Sequence, residues 1–189
     1  MTRKCKVCRA VFEPKRGFET WCCHDHGFAL ATAKLEKAKA AKAVAERRET
    51  RAKLDKLKTR GQHQAEAQTA FNAFIRARDA GKPCICCGRS RNFGIGTGGE
   101  WDAGHYRSRG SAPHLRFDER NVHAQLKQCN RYDSGNVVGY RAGLIARIGL
   151  AEVEALESDH APRRHSIGEL QQIKKTYAAK ARELLKVQK

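Results

Sequence analysis

The sequence predicts an α+β fold that is mostly helical. It has a small N-terminal cysteine knuckle, a long basic helix, a central unit of two strands and a helix, and C-terminal helices. Three observations carry this. The eight cysteines fall into two separated groups, Cys5 to Cys23 and Cys84 to Cys129, and strand signals are confined to those two units. Residues 28–60 contain no Gly or Pro and are dominated by Ala, Lys, Arg, Glu and Leu, the strongest helix formers. Apolar residues recur three and four apart in 64–80 and again from 167 to 185, the period of one helical face. At 189 residues the chain suffices for one ordinary domain or two very small ones. The natural divisions are 1–27, 28–62, 63–136 and 137–189.

Net charge is +18 and the pI about 9.9. An excess of that size favours a polyanionic partner, and nucleic acid above all. Basic excess is a poor choice for solubility alone. No segment pairs a basic face with a strong apolar one, which ranks an anionic membrane surface lower. No run approaches the ~18 apolar residues of a membrane span. The start, Met-Thr-Arg-Lys-Cys, has no apolar signal core. A cytoplasmic protein with no membrane association is the expectation, and there close cysteine pairs signify metal rather than disulfides.

In the first unit, Cys5 and Cys8 have the two-residue gap of a zinc knuckle, and Cys22 and His26 follow across a short loop. Two pairs of thiolate and imidazole donors are what tetrahedral Zn²⁺ takes, and so small a unit would draw its folding energy from the metal. Cys23 and His24 are alternative ligands. The basic helix then carries eleven Lys/Arg against four Asp/Glu, a rod of roughly 50 Å at ~1.5 Å per residue. Its sparse large apolar residues hold no heptad, so it reads either as a solvated helix or as an arm along phosphates. Gly61 is expected to end it. In 64–80, Ala67, Ala70, Phe71, Phe74, Ile75 and Arg78 share one face, stopped by Gly81 and Pro83. These aromatics read as core. After the central unit, short helices are expected over 137–148, ending at Gly149, and 150–157. A loop with Pro162 follows, and Ser166-Ile-Gly-Glu169 resembles a capping box. Ile167, Leu170, Ile173, Tyr177, Ala181, Leu184 and Leu185 make the stripe of a final helix.

The central unit holds the chemistry. Cys84 and Cys87, with Gly88 after, form one half of a knuckle, but only Cys129 stands downstream, so a fourth ligand is missing. Cys86 or His123 can supply it, or the site is empty. Phosphodiester hydrolysis needs an activated water, a metal that stabilises developing charge and a route for the leaving oxygen. His105 suits a general base near neutral pH. Asp102 and Asn130 are oxygen donors, the hard ligands that Mg²⁺ or Mn²⁺ takes. Asn121 is suited to fixing the loop or the base by hydrogen bonds. Arg107, Arg109, Arg116 and Arg120 lie near them and can hold phosphates on either side of a scissile bond. Gly94 to Gly99 lacks the Gly-Lys-Ser/Thr of a phosphate loop and reads as a hairpin tip. His114, His160 and His165 have no evident partners.

A Gly-His, about fifteen residues to an Asn, then eight or nine to a Cys and a last polar ligand resembles the spacing of HNH nucleases, the ββα-metal class. More narrowly, Ala73 to Cys84, Ala103-Gly-His-Tyr106, Asn121-Val-His-Ala-Gln125 and Cys129-Asn130 resemble the NinG family of lambdoid phages, also called Rap. Cys5, Cys8 and Cys22 fit it too. The resemblance implies a structure-selective DNA endonuclease of phage recombination in the host cytoplasm, acting on branched DNA such as Holliday junctions and D-loops. It implies His105 as base, Asn121 as the middle Asn and Asn130 at the last ligand position. Gly104 stands where such enzymes often have Asp, so Asp102 must reach the metal. Leu126 stands where the pattern places Cys. A junction with two symmetric strands to cut suits a homodimer. The rival expectation is a non-catalytic, zinc-containing DNA-binding accessory protein. An RNA-binding protein ranks last, for want of an aromatic stacking motif.

Overall fold

The computed structural model describes residues 1–90 and 100–187. The predicted hairpin tip at Gly94 to Gly99 lies outside them. The chain divides into two compact units, Met1–Lys58 and Thr59–Lys189.

In the first unit, β1 (Arg3–Lys4) and β2 (Val11–Phe12) pair antiparallel, Arg3 opposite Phe12. Arg9 takes a left-handed φ of 65° in the turn between them. Helix α1 (His24–Lys56) follows, and none of its 33 residues is buried. It starts four residues earlier than expected. Extended Cys23 is its N-cap, and Asp25 puts a negative charge in the first turn.

The expectation that Gly61 ends this helix is corrected by the structure. The break falls at Leu57 and Lys58, and Gly61 sits in the first turn of α2 (Arg60–Arg78). The cause is a capping box. The Gln62 amide donates to Thr59 Oγ1 at 3.3 Å, and Gln62 Oε1 accepts from the Thr59 amide at 2.7 Å. Two orphan donors satisfied together outweigh the modest helix penalty of one Gly.

The second unit is built around α2. A two-stranded antiparallel sheet joins β3 (Trp101–His105) to β4 (Val122–Leu126), with Trp101 opposite Leu126 and His105 opposite Val122. The predicted helices follow as α3 (Val137–Ile148), α4 (Leu150–Ser158) and α5 (Ile167–Val187). The Ser166 box forms as read: Ser166 Oγ accepts from the Glu169 amide at 3.2 Å, and Glu169 Oε2 accepts from the Ser166 amide at 2.7 Å.

Phe71, Phe74 and Ile75 of α2 pack with Leu170 and Ala181 of α5, Ala103 of β3, Val122 of β4 and Phe117. Phe71 meets Phe117 and Tyr177 edge-on at 5.7 and 4.7 Å. The aromatics of α2 are core, as read. Ile167 and Leu185, at the ends of the α5 stripe, are exposed. A second cluster joins Ile85, Ala112 and Leu115 to Tyr140 and Leu144 of α3 and Val153 and Leu156 of α4. Gly143 lets α3 lie directly on the knuckle, since a Cβ there would overlap the Ile85 carbonyl.

The helix expected to complete the central unit is shorter than the sequence suggests. After β4 the chain makes a five-residue π turn, Gln128–Tyr132, and the next α-helix begins only at Val137. Ser134, Gly135 and Asn136 all have positive φ (49°, 81° and 44°), which forbids continuing it. No helix among the described residues is long and apolar enough to cross a membrane.

Candidate active site and metal centres

The first cluster is the one preferred from spacing. The donor atoms of Cys5, Cys8, Cys22 and His26 lie within 4.8 Å of one another. Cys8 and Cys22 Sγ are 3.5 Å apart, and His26 Nδ1 is 3.2 Å from Cys22 Sγ and 3.7 Å from Cys5 Sγ. Zinc bonds of ~2.3 Å to sulfur and ~2.0 Å to nitrogen demand separations of this size. Burial opposes ionisation of the Cys5 thiol, but amides of Cys8, Val7 and Cys22 outweigh it and bring its pKa to about 6. Cys23 is left as the helix cap, outside the cluster.

The second cluster settles the missing ligand. Cys84, Cys86, Cys87 and Cys129 hold their sulfurs within 4.8 Å of one another. Cys86 fills the gap that Leu126 leaves, while the Leu126 amide donates to Cys84 Sγ at 3.3 Å. Gln125 Nε2 donates to Cys86 Sγ at 3.3 Å, and Arg89 donates to Cys87 and Cys129 at 3.4 and 3.7 Å. Burial raises the Cys87 pKa, but Arg89 overrides it and brings it to about 7. Four thiolates with outer donors and one cation fit Zn²⁺ by the chemistry of the set.

His123, the other candidate ligand, is committed elsewhere. Its Nδ1 lies 2.9 Å from Arg78 Nη2 and 3.5 Å from Asp79 Oδ2, and its Nε2 lies 3.1 Å from the Arg120 carbonyl. It belongs to a buried network centred on Asp79, a fully buried carboxylate at the end of α2. Asp79 accepts two bonds from Arg78, at 3.0 and 2.8 Å, and one from the Ala124 amide at 3.0 Å. Burial opposes its charge, yet His123 and Arg78 hold its carboxyl far below the usual range. No sequence signal announced this hub, because its partners come from three elements.

A polar cavity opens along β3. It measures about 450 Å³ and is lined by Asn72, Asp102, Ala103, His105, Ser108, Arg109, Asn130 and Arg131. His105, Asp102 and Asn130 are therefore brought together, as expected. His105 closes β3, and its Nε2 donates to the Arg116 carbonyl at 3.1 Å, which leaves Nδ1 as the basic nitrogen. Burial lowers its pKa to about 4, against the pull of the Arg116 carbonyl and helped by the charges of Arg109 and Arg116. Asn130 Nδ2 donates to Asp102 Oδ2 at 3.0 Å. Arg131 grips the same carboxylate at 2.7 and 3.0 Å. A carboxylate offers about four lone-pair sites, so Asp102 keeps one, on Oδ1. Asn72, Ser108 and Arg131 were not picked out from sequence; Arg131, next to Asn130, is the one that adjacency points to.

Asn121 does not face the cavity. It is fully buried and fastens the β3–β4 connection. Its Oδ1 accepts from the Arg107 amide at 2.8 Å, and its Nδ2 donates to the Arg107 and Leu115 carbonyls at 3.0 and 3.1 Å. Of its two expected roles, the loop is the one it fills. The four arginines divide. Arg107 is spent on the Leu156 and Glu157 carbonyls, and Arg120 on Asp118 and Glu152. Arg109 lines the cavity, and Arg116 meets His105 through its backbone carbonyl. His114 has a partner after all, the Asp159 carbonyl at 2.9 Å.

Fold and site define a basic α+β protein with two cysteine-rich clusters able to hold a metal ion and, in its second unit, an imidazole–carboxylate pocket. The chain belongs to the NinG family: the family model described as Bacteriophage Lambda NinG protein matches residues 1–187. It is 44% identical over 193 residues to protein ninG of Escherichia phage 933W, covering 96% of this chain and 93% of that one. It is 44% identical over 195 residues to protein ninG of Salmonella phage P22 and 43% identical over 195 to that of Escherichia phage lambda, with the same coverage of 96% and 93% in both. No solved structure matches the chain.

Proposed function

We propose that the chain is a divalent-metal-dependent DNA endonuclease of HNH type that cuts branched recombination intermediates. The observation that carries this is one cavity. His105, fixed through Nε2 and unprotonated at neutral pH, shares it with the oxygen donors of Asp102 and Asn130 and with Arg109. The antiparallel β3–β4 pair, with the turn that carries Cys129 and Asn130, stands for the ββα unit in reduced form. Branched DNA, Holliday junctions and D-loops among it, comes from the family resemblance, and the basic charge agrees with it.

Asp102 and Asn130 are two hard oxygen ligands, and Mg²⁺ or Mn²⁺ commonly binds few protein groups and keeps water and phosphate as the rest. When bound there, such an ion supplies charge stabilisation to the scissile phosphate and the leaving oxygen. His105 Nδ1 takes a proton from water, the water oxygen bonds to phosphorus, and the bond to the 3′ oxygen breaks as that oxygen takes a proton from solvent. The products are a 5′-phosphate and a 3′-hydroxyl. A phosphodiester anion next to the ring raises its pKa from the depressed value toward neutrality. Arg109 and Arg116 hold the strand, and Asn121 and Gly104 keep β3 and its loop in place. A Cβ at Gly104 would overlap the Gln125 side chain, which accounts for Gly rather than Asp at this position.

His105→Ala should abolish nicking of a four-way junction with Mg²⁺, a loss of at least ~10²-fold by the usual worth of a general base, with junction binding retained. Nicking at the wild-type rate would sink the assignment. One observation favours a second reading. The bidentate Arg131–Asp102 pair is the geometry of a structural ion pair. If the wild type binds junctions and nicks none of them with Mg²⁺ or Mn²⁺, the chain is a non-catalytic DNA-binding accessory protein.

A further inference from the structure

Six arginines of the second unit are paired with a carboxylate. Arg78 and Arg147 share Asp79, Arg120 has Asp118 and Glu152, Arg131 has Asp102, Arg141 has Glu157 and Arg163 has Glu169. Arg60, Arg109 and Arg116 pair with no carboxylate among the described residues. These three also crowd one another: after burial, the charges of Arg109 and Arg60 are what depress the Arg116 pKa. Unpaired like charges held together cost stability unless an anion joins them.

Their setting is a ladder of amides along α2. Gln64, Gln68 and Asn72 recur at i and i+4, on one face. Arg60 Nη1 donates to Gln64 Oε1 at 3.4 Å and to the His165 carbonyl at 3.3 Å. Arg116 Nη1 donates to Gln68 Oε1 at 3.3 Å, and Gln68 Nε2 donates to Asn72 Oδ1 at 2.8 Å. Asn72 lines the cavity of His105. Arg60 and Arg116 are thus each aimed by a neutral amide oxygen, which orients the guanidinium without cancelling its charge, and Arg109 lines the cavity with Asn72. Each keeps most of its five donors for something else.

We infer that Arg60, Arg116 and Arg109, aligned by the Gln64–Gln68–Asn72 face of α2, form a track for the sugar–phosphate backbone of the DNA strand that enters the catalytic cavity. From Arg60 to Asn72 is 12 residues, roughly 18 Å at ~1.5 Å per residue, the reach of several phosphates at ~3.4 Å of axis each. The occupant is a phosphodiester chain. Planar, fixed guanidinium groups suit phosphate oxygens, and neutral amides tolerate any base sequence. The track rests on the nuclease reading only for its direction toward the cut.

The test uses the full chain carrying His105→Ala, so that DNA stays intact, with affinity for a four-way junction read by anisotropy over a salt series. Adding Arg60→Gln should weaken binding several-fold and reduce the slope of log K against log salt by about 0.9, one phosphate's share on duplex DNA. Arg60→Lys should restore most of the slope, and Arg182→Gln, at an exposed position of α5, should leave it unchanged. Zinc content and melting temperature, unaltered in Arg60→Gln, exclude a folding defect. A wild-type slope for Arg60→Gln overturns the track, as does an equal loss for Arg182→Gln, which would mean diffuse charge. So would undiminished DNA binding together with lost binding of a polyglutamate peptide, which would make the occupant an acidic protein. Failure of the two readings is separable: a slope change without any nicking by the wild type keeps the track and removes the nuclease, and nicking without a slope change does the reverse.

Discussion

At His105, burial and a backbone carbonyl pull in opposite directions, and burial wins. The folded pKa of about 4 lies below the free-ring value of 6.5. Between those values the unfolded chain holds a proton that the folded chain does not. Stability from this residue is therefore complete above pH 6.5 and is lost as pH falls toward 4, on the order of 3 kcal/mol in all. His123 and His165, both pushed down first by burial, act in the same direction. His105→Gln should flatten the fall in urea-unfolding stability between pH 6.5 and 4 relative to wild type; parallel curves would show that the ring is not desolvated as described. The candidate site was legible where residue type restricts chemistry. Cysteine pairs and a His in a Gly-His context reach few other uses, so Cys5, Cys8, Cys22, His26 and His105 could be named from spacing. Asp79 could not, since a lone Asp after a helix reads as solvated until Arg78, His123 and Ala124 are seen to converge on it.

Among the elements, α2 carries the most. Its N-terminus bears the capping box, its middle the core aromatics, and its C-terminus Arg78 and Asp79, which bond the carbonyls of Glu119 and Val122 and the Ala124 amide. Asp79→Asn would leave Arg78 and Arg147, both half-buried, beside a neutral amide. Removing one partner of a buried ionic network costs ~3–5 kcal/mol, so calorimetry should show a melting temperature lower by roughly 10 °C or more. A shift of a degree or two would mean that the network relaxes to solvent. The knuckle makes a second prediction. Elemental analysis should find two zincs per chain, with Cys86→Ser and His26→Ala each removing a different one; full retention in Cys86→Ser would return the fourth ligand to another residue. Helices were readable because their signals are local: period, caps and breakers. The break at Leu57–Lys58 was missed because Gly61 outshone the Thr59-x-x-Gln62 box. The short π turn after β4 was missed because nothing local marks Ser134 and Asn136 as left-handed.

Across the whole molecule, charge is shared evenly while mass is not. Residues 1–58 hold sixteen Lys/Arg and seven Asp/Glu, a net +9, and residues 59–189 hold twenty-two and thirteen, also +9. The smaller unit has more than twice the charge per residue, and a net +4 of its +9 lies on α1, a helix with nothing buried. On the proposed DNA-cutting reading, two cationic units on one chain would act as two linked binding modules, whose second contact is intramolecular when the DNA can offer both. A junction presents several arms, whereas a short linear duplex has room for one unit at a time. Selectivity for branched DNA then needs no base reading, only simultaneous engagement. Replacing Lys37, Lys42, Arg47 and Arg51 of α1 by Gln preserves helix propensity, since Gln ranks with Lys and Arg, and lowers the charge of that unit from +9 to +5. Anisotropy at fixed salt should then show a steep loss of junction affinity and a small loss for a 15-base-pair duplex, so that the preference between them falls toward one. Zinc content should stay at the wild-type value. If both affinities fall in proportion and the preference survives, branch selection belongs to the second unit alone, and α1 contributes only non-specific attraction.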